Sequence, residues 1–235
     1  MIFTGPDARY IASSLRLKRG TEIVGFDGEG VEYTGTIAIL SPRRVEAVIS
    51  DISVVEEAPS LRIALAQSLL KGGRLDGVLR QATELGISEF IPLSTRYTIP
   101  KLFQEGEKRR QRWTRIAADA SRQSGRKVTP VVHPVEHWRD FLARAKDYEL
   151  ALLPWEKEGG RLLREAVASL VGGARSTRIL VAIGPEGGFS ESEAEQAVEA
   201  GFLTVSLGPR ILRATTAGVA AVAYLQLAWR EGESS

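Results

Sequence analysis

After Ile179 the sequence changes character twice within a short span, and this restricts the fold more than any other feature of the chain. Ile179 to Ile183 is short, uncharged and rich in β-branched residues, the pattern of a strand covered on both faces rather than of an amphipathic helix. The turn Gly184-Pro185-Glu186-Gly187-Gly188-Phe189-Ser190 follows. Ser190 and Glu193 then have the S-x-x-E spacing of a capping box, which predicts a helix from Glu191 to about Ala200 with Gly201 as its stop. A strand, a glycine-rich turn and a helix start in that order leave backbone N–H and C=O groups at the carboxyl edge of a sheet, where open α/β sheets bind ligands. Taken alone, the same turn fits a plain connection equally well.

A second unit of the same kind comes one strand later. Phe202 to Leu207 is apolar, Gly208-Pro209-Arg210-Ile211-Leu212-Arg213 follows, and an Ala-rich helical stretch runs from Ala214 to about Trp229. Two adjacent strands ending in such turns are expected to line one cavity jointly, with Arg210 and Arg213 bringing positive charge to it. Neither turn fits G-x-G-x-x-G or G-x-x-x-x-G-K-[ST], so an ordinary dinucleotide site or P-loop is not expected.

From Leu61 onward apolar runs alternate with amphipathic stretches. The runs are Leu61–Ala66, Ser88–Leu93, Thr129–Val132 and Glu149–Leu153, and the helices are expected near Arg74–Leu85, Gln104–Ser124, Val135–Ala145 and Gly160–Leu170. This predicts an α/β domain with a mostly parallel sheet and helices on both faces. Lys71-Gly72-Gly73-Arg74 opens a helix after a strand, which suits either a phosphate hold or a flexible turn. The 104–124 helix carries Lys108, Arg109, Arg110, Arg112, Arg115 and Arg122 and ends near Arg126-Lys127; an RNA backbone contact and a solvated face opposite Trp113, Ile116, Ala117 and Ala120 both fit. Leu152-Leu153-Pro154-Trp155-Glu156 leaves a buried strand in a third turn. His133 and His137, the only histidines, lack cysteine or paired carboxylates at ligand spacing, so no metal is expected. Glu84 reads as a surface or capping carboxylate.

The N-terminal segment differs. Runs at Glu22–Phe26, Tyr33–Leu40 and Arg44–Val55, separated by Asp27-Gly28-Glu29-Gly30 and Ser41-Pro42, read as a small all-β unit. A helix-like stretch from Tyr10 to Lys18 gathers Arg9, Arg16, Lys18 and Arg19, which suit phosphate contacts or a solvated basic face. The charge pair and proline in Glu56-Glu57-Ala58-Pro59 predict a boundary, giving domains at 1–57 and 58–235.

The absence of cysteine removes disulfides and thiol nucleophiles from consideration. No long uncharged apolar segment exists, and Met1-Ile2-Phe3-Thr4-Gly5-Pro6 lacks a basic start with an apolar core behind it, so a cytoplasmic protein without a membrane partner is expected. With 31 Lys+Arg against 29 Asp+Glu the formal net charge is only +2, and any nucleic-acid surface must be local.

GPEGGFS-x-x-E followed by LGPRILR-x-x-TA resembles the RsmE family of 16S rRNA (uracil-N3)-methyltransferases, members of the SPOUT class. Leu15-Arg16-Leu17-Lys18, Phe26-Asp27-Gly28, Ala82-Thr83-Glu84-Leu85-Gly86 and Gln123-Ser124-Gly125-Arg126 extend the resemblance over nearly the whole chain. It implies a C-terminal SPOUT domain with a trefoil knot, a PUA-like β-barrel before it that helps grip rRNA, S-adenosylmethionine as cofactor, 16S rRNA in the small ribosomal subunit as partner, and a homodimer. By the same resemblance the donor is held at Leu153, Pro154, Gly184, Pro185, Glu186, Gly187, Gly188, Leu207, Gly208, Ile211, Leu212, Thr216 and Ala217. Arg126, Arg210 and Arg213 become the catalytic candidates, Arg9, Arg16, Lys18, Arg19, Lys71, Arg74 and Arg122 the RNA-binding ones, and Glu84 a site-organising one. The chain departs from the family's usual Arg-Thr-Glu-Thr-Ala at Arg213-Ala214-Thr215-Thr216-Ala217, where Thr215 replaces a carboxylate, and Gln81 stands where lysine is common. Two other readings stay open: a SPOUT methyltransferase of another base or ribose, and, because of Thr215, a non-catalytic RNA-binding or ribosome-assembly protein of the same fold.

Overall fold

The computed structural model describes residues 1–54, 61–98, 106–168 and 176–233. Two compact units, Met1–Glu57 and Ala58–Ser235, divide the chain; the residues Glu56-Glu57-Ala58-Pro59 lie outside the described residues.

In the first unit β1 (Ile2–Thr4), β2 (Glu22–Phe26), β3 (Val31–Leu40) and β4 (Arg44–Val54) form an antiparallel sheet in the order β1-β4-β3-β2. The three longer strands match the apolar runs, whereas β1 is too short to show alternation. Register shifts between Thr34 and Gly35 and between Ile37 and Ile39 bend the β3–β4 pair, so the sheet curls as a half-barrel. Gly35 is required at the first shift, because a Cβ there would come within 2.5 Å of the Val48 carbonyl oxygen. Ala8, Ile11, Ile37 and Val45 fill the concave side.

The helix expected over Tyr10–Lys18 sits earlier. It runs as α1 (Gly5–Arg9) and continues as a π-turn over Tyr10–Ser14. Pro6 favours the earlier start, since the first turn of a helix has no use for its missing N–H. Arg16 then enters the left-handed region at φ 51°, which no helix continues through. Arg16, Lys18 and Arg19 therefore stand on a loop.

The second unit is a seven-stranded parallel sheet. β5 (Leu61–Ser68), β6 (Glu89–Ser94), β7 (Val131–Val132), β9 (Leu150–Pro154), β10 (Thr177–Ile183) and β11 (Leu203–Val205) take the order β11-β9-β10-β5-β6-β7, and β8 (Glu136–His137) pairs with β6. The helices are α2 (Arg74–Glu84), α3 (Gly106–Gln123), α4 (Trp138–Leu142), α5 (Leu163–Val167), α6 (Glu191–Glu199) and α7 (Ala214–Glu233). Strand residues divide by parity between the two faces. Ile63, Leu65, Ile179, Val181, Leu150 and Leu152 join one apolar layer with residues of α2, α3 and α7. Ala64, Ala66, Leu180, Ala182, Ala151 and Leu153 join the other with residues of α4 and α6.

Three expectations are revised. The strands ending in the two glycine turns are not neighbours, because β9 lies between β10 and β11. The stretch from Val135 begins as β8, since His137 is extended (φ −76°, ψ 146°), and becomes helical only at Trp138. The helix expected from Gly160 starts at Leu163 because Leu162 is held extended by a bridge to Ser206; its expected end at Leu170, like Gln104 at the start of the arginine-rich helix, lies outside the described residues. No helix among the described residues is long and apolar enough to cross a membrane.

Candidate active site

Parallel neighbours end at one edge of a sheet, so the segments leaving β9, β10 and β11 emerge together. The first is pinned to the third through backbone bonds: Trp155 N–H donates to the Val205 carbonyl (3.0 Å), Ser206 N–H to Arg161 (2.8 Å) and Leu163 N–H to Ser206 (3.0 Å). Glu158 adds a side-chain tie. Its carboxylate accepts from the Thr204 hydroxyl at 2.5 Å and from the N–H groups of Gly160 and Arg161 at 2.8 and 3.1 Å. Those bonds, the Thr204 hydroxyl first, hold its carboxyl below the usual carboxylate range.

The second turn folds tightly on itself. Gly188 N–H donates to the Pro185 carbonyl at 3.0 Å, Gly188 has φ 69°, and a Cβ on Gly184 would lie 3.0 Å from the Gly188 carbonyl carbon. Ser190 and Glu193 form the expected capping box: the Ser190 hydroxyl accepts from Glu193 N–H (3.3 Å), and the Glu193 carboxylate accepts from Ser190 N–H (2.9 Å). Two contacts fasten the turn to β5 and the segment after it. Gln67 Nε2 donates to the Gly184 carbonyl at 3.3 Å, and the Glu186 carboxylate accepts from Lys71 N–H at 3.1 Å and from Arg74 Nη1 at 3.3 Å. The Lys71–Arg74 turn, weighed as a phosphate hold, thus already meets an anion of the protein's own. The Lys71 backbone N–H and the Arg74 guanidinium fasten the turn in this structure.

The third turn also has unused backbone. The N–H groups of Leu207, Arg210, Ile211 and Leu212 donate to nothing among the described residues, while Ile211 is 84% exposed and Leu212 half-buried. Free amides beside apolar side chains suit a nucleoside, and the residues present therefore fit a donor such as S-adenosylmethionine. Arg213 caps α7 with its carbonyl, which accepts from Thr216 and Ala217 N–H at 2.8 and 2.9 Å. The side chains of Arg210 and Arg213 are exposed and meet no acid among the described residues. Thr215 is half-buried, Thr216 exposed and Ala217 buried at the start of α7.

Arg126 stands elsewhere. Its Nη1 and Nη2 donate to the carbonyls of Thr83 (2.7 Å) and Ile87 (2.8 Å), where α2 ends and β6 begins, at the amino edge of the sheet. The last carbonyls of a helix lack intrahelical donors, and this guanidinium supplies them. The structure does not bring Arg126 to the three turns; it is a capping residue here. Glu84, exposed at the same end of α2, is equally remote.

The RNA-facing candidates are mixed. Arg9, Arg16, Lys18 and Arg19 are all exposed on the first unit. On α3 the positive charge is partly balanced: Arg122 pairs with Asp119, Arg110 with Glu107 at 2.9 Å, and Arg112 with Asp76 of α2.

Two groups lie outside the predicted site residues. His133 lies in a polar cluster: Arg144 Nη2 donates to its Nδ1 (3.2 Å), its Nε2 donates to Glu89 (2.7 Å), and Arg144 also grips Glu136 at 2.6 Å. Among the described residues no group of three or more His, Asp or Glu is arranged for a metal. The second group is Thr95-Arg96-Tyr97-Thr98, at the carboxyl end of β6. Two grooves meet there, about 600 Å³ beside His137 and Arg139 and about 560 Å³ beside Glu156 and Lys157, both bordered by Arg96, Ser190 and Ser192. Neither groove is lined by the open amides of 207–212. A polar turn with threonine at both ends after a buried strand was the only signal available.

Known proteins share this arrangement. Residues 56–226 match an RNA methyltransferase domain and residues 3–50 an RNA methyltransferase PUA domain. The chain is 29% identical to a ribosomal RNA small subunit methyltransferase E of Bacillus subtilis, over 94% of this chain and 88% of that one. It is 33% identical to the Synechocystis protein of the same name, over 94% and 71%. A crystal structure of a ribosomal RNA small subunit methyltransferase E from Neisseria gonorrhoeae, bound to S-adenosyl methionine, superposes with a TM-score of 0.80 at 33% identity, covering 97% of this chain and 92% of that one. The chain belongs to the RNA methyltransferase family, within the group of the ribosomal RNA small subunit methyltransferases E.

Proposed function

We propose that this enzyme methylates N3 of one specific uridine of 16S rRNA in the small ribosomal subunit, using S-adenosylmethionine. The observation that carries this reading is the third turn, where unused amides and exposed Ile211 sit beside two exposed arginines, Arg210 and Arg213, that meet no acid among the described residues. Leu153 and Pro154, the 184–188 turn and Leu207 to Leu212 would hold the donor through backbone groups and apolar contact, with Thr216 and Ala217 closing the cradle. When bound, the donor supplies a methyl on a sulfonium ion, an electrophile that needs no further activation. The protein's share is position and a deprotonated N3. Uracil N3 keeps its proton at neutral pH, and loss of that proton spreads negative charge over O2 and O4. Arg213, with Arg210 beside it, stabilises that charge and so lowers the cost of deprotonation. N3 then forms its bond to the methyl carbon as the carbon–sulfur bond breaks, and the proton leaves to water, since Thr215 offers no carboxylate.

The same proposal makes the first unit an RNA grip, through Arg9, Arg16, Lys18 and Arg19. The wild-type assembly is a homodimer. α7 turns Ala217, Ala221, Val222 and Leu225 into the core but leaves Tyr224 and Leu227 exposed on its other side, Leu227 by 63%, an apolar face suited to a second copy. A knotted path is supported by chain order, since α7 returns against β5 and β10 after β11 has been laid outside β9. A cytoplasmic location accords with a ribosomal substrate.

The test is transfer of labelled methyl to unmethylated small subunits, with large subunits and transfer RNA as controls. Label confined to the small subunit supports the reading, and equal label in all three contradicts it. Thr215 favours one rival, an RNA-binding protein that holds donor without transferring methyl; donor binding without label in any RNA would select it.

A further inference from the structure

Thr95 and Thr98 close a turn that carries Arg96 and Tyr97 at its apex. Thr98 N–H donates to the Thr95 carbonyl (3.0 Å), Thr95 N–H donates to the Thr98 hydroxyl (3.1 Å), and the two hydroxyls meet at 3.0 Å. Thr95 also reaches the Ser68 hydroxyl on β5 at 3.4 Å, and Arg96 N–H donates to the buried carboxylate of Glu193 on α6 at 2.7 Å. Neighbouring elements on both sides thus fix the backbone of this short turn.

The two side chains at the apex are nevertheless left in solvent. Tyr97 is 51% exposed, and the exposed Arg96 guanidinium lies 5.8 Å from the centroid of its ring. A buried hydrogen-bond set that displays an aromatic ring and a cation outward has no core to serve. The apex also touches the central turn of the site, for a Cβ on Gly187 would come within 3.3 Å of Tyr97 Cβ and Cγ.

Charge decides what could lie there. In the two grooves Lys157 is neutralised by Glu191 at 2.5 Å, and Arg96 and Arg139 face Asp140, Glu156 and Glu195. Positive charge does not dominate, so a phosphate gains little. A flat base gains from the exposed ring and the guanidinium beside it, whatever the net charge.

We infer that Arg96 and Tyr97 form a stacking platform for a nucleobase of single-stranded RNA, one that flanks the methylated uridine. This rests on the reading of the enzyme as an rRNA methyltransferase. Base stacking on an aromatic side chain tolerates any sequence and holds a strand at a fixed distance from the 184–188 turn.

The full chain is titrated with a fluorescein-labelled single-stranded oligouridylate, and S-adenosylmethionine binding is measured by calorimetry in parallel. Tyr97→Ala is expected to weaken oligouridylate binding at least about tenfold, Tyr97→Phe to recover most of it, and donor affinity to stay within about twofold of the parent, since no donor contact is assigned to the ring. Parent-like binding by Tyr97→Ala, or no binding by the parent, overturns the platform and leaves the apex to a protein partner. Equal loss in Tyr97→Ala and Tyr97→Phe overturns it in favour of the hydroxyl. A parallel fall in donor affinity overturns it in favour of a prop under Gly187. Methyl transfer by the parent to small subunits separates the two levels: if transfer persists while the platform fails, only the platform is lost; if the parent transfers nothing, the underlying reading fails.

Discussion

Gln67 Nε2 donates to the carbonyl of Gly184 across 3.3 Å, joining the end of β5 to the first residue of the turn on which the site is built. Gln67 is fully buried, and its Oε1 has no partner among the described residues. That oxygen lies 2.9 Å from where a Cβ on Gly218 would stand. One side chain therefore meets β5, the 184–188 turn and α7.

Gly218→Ala exploits that meeting. The methyl gains about 1 kcal/mol of helix propensity, and displacing the amide oxygen in a packed interior costs a comparable amount, about 1 kcal/mol or slightly more. The melting temperature is expected to change little. Gln67, pushed aside, gives up the Gly184 carbonyl, and donor affinity falls roughly three- to tenfold, the worth of one such bond. Calorimetric titration with S-adenosylmethionine checks this, and an unchanged affinity would mean that Gln67 does not position the turn.

Arg213→Ala separates chemistry from binding. If the guanidinium faces charge that develops only on the uracil, single-turnover methyl transfer drops by about a hundredfold while donor affinity holds. Equal losses in both would place Arg213 in the donor pocket instead.

Arg16 occupies the left-handed region at φ 51°, a conformation that costs a residue with a side chain roughly 1 kcal/mol. Arg16→Gly relieves that strain but loosens the unfolded chain by a similar amount, about 0.5–1 kcal/mol, so stability should hardly move. RNA affinity should fall, and its dependence on salt should flatten by about one unit of slope if the arginine meets a phosphate. An unaltered salt slope would remove Arg16 from the RNA surface.

The cluster around His133 predicts the pH response. The hydrogen bond from His133, opposed in part by burial, holds the Glu89 carboxyl below the usual range. With the folded value depressed, its stabilisation is present above the unfolded carboxylate pKa of about 4.3 and is lost as pH falls through the folded value. Tyr148 behaves in the opposite sense. Burial first, then the Glu89 charge, push its hydroxyl up to about 12, so its contribution is complete below about pH 10 and is lost as pH rises further. Glu89→Gln is expected to flatten the fall in melting temperature below about pH 4.3. An acid limb parallel to that of the parent would contradict the assignment.

What the sequence makes readable here is what neighbours along the chain decide. The capping box of Ser190 and Glu193 and the stop at Gly201 need only local chemistry, and α6 begins and ends where they place it. The parity of Leu180 and Val181 shows that β10 is covered on both faces, but no period says which strands flank it, so the placement of β9 between β10 and β11 was invisible. Long-range partners hid the rest. Arg126 looks like a site arginine until the carbonyls of Thr83 and Ile87 claim it, and Arg96 and Tyr97 look like loop residues until Glu193, far along the chain, fixes their backbone. The three strand-end turns were legible because each carries its own glycine or proline; the fastening of Glu186 to Lys71 and Arg74 was not.

The most direct measurement is nucleoside analysis of small-subunit RNA after incubation with the enzyme and S-adenosylmethionine. 3-Methyluridine is expected at a single position, formed despite Thr215. A methyl group on another base atom or on a ribose would contradict it, and would mean that Arg210 and Arg213 stabilise a different nucleophile.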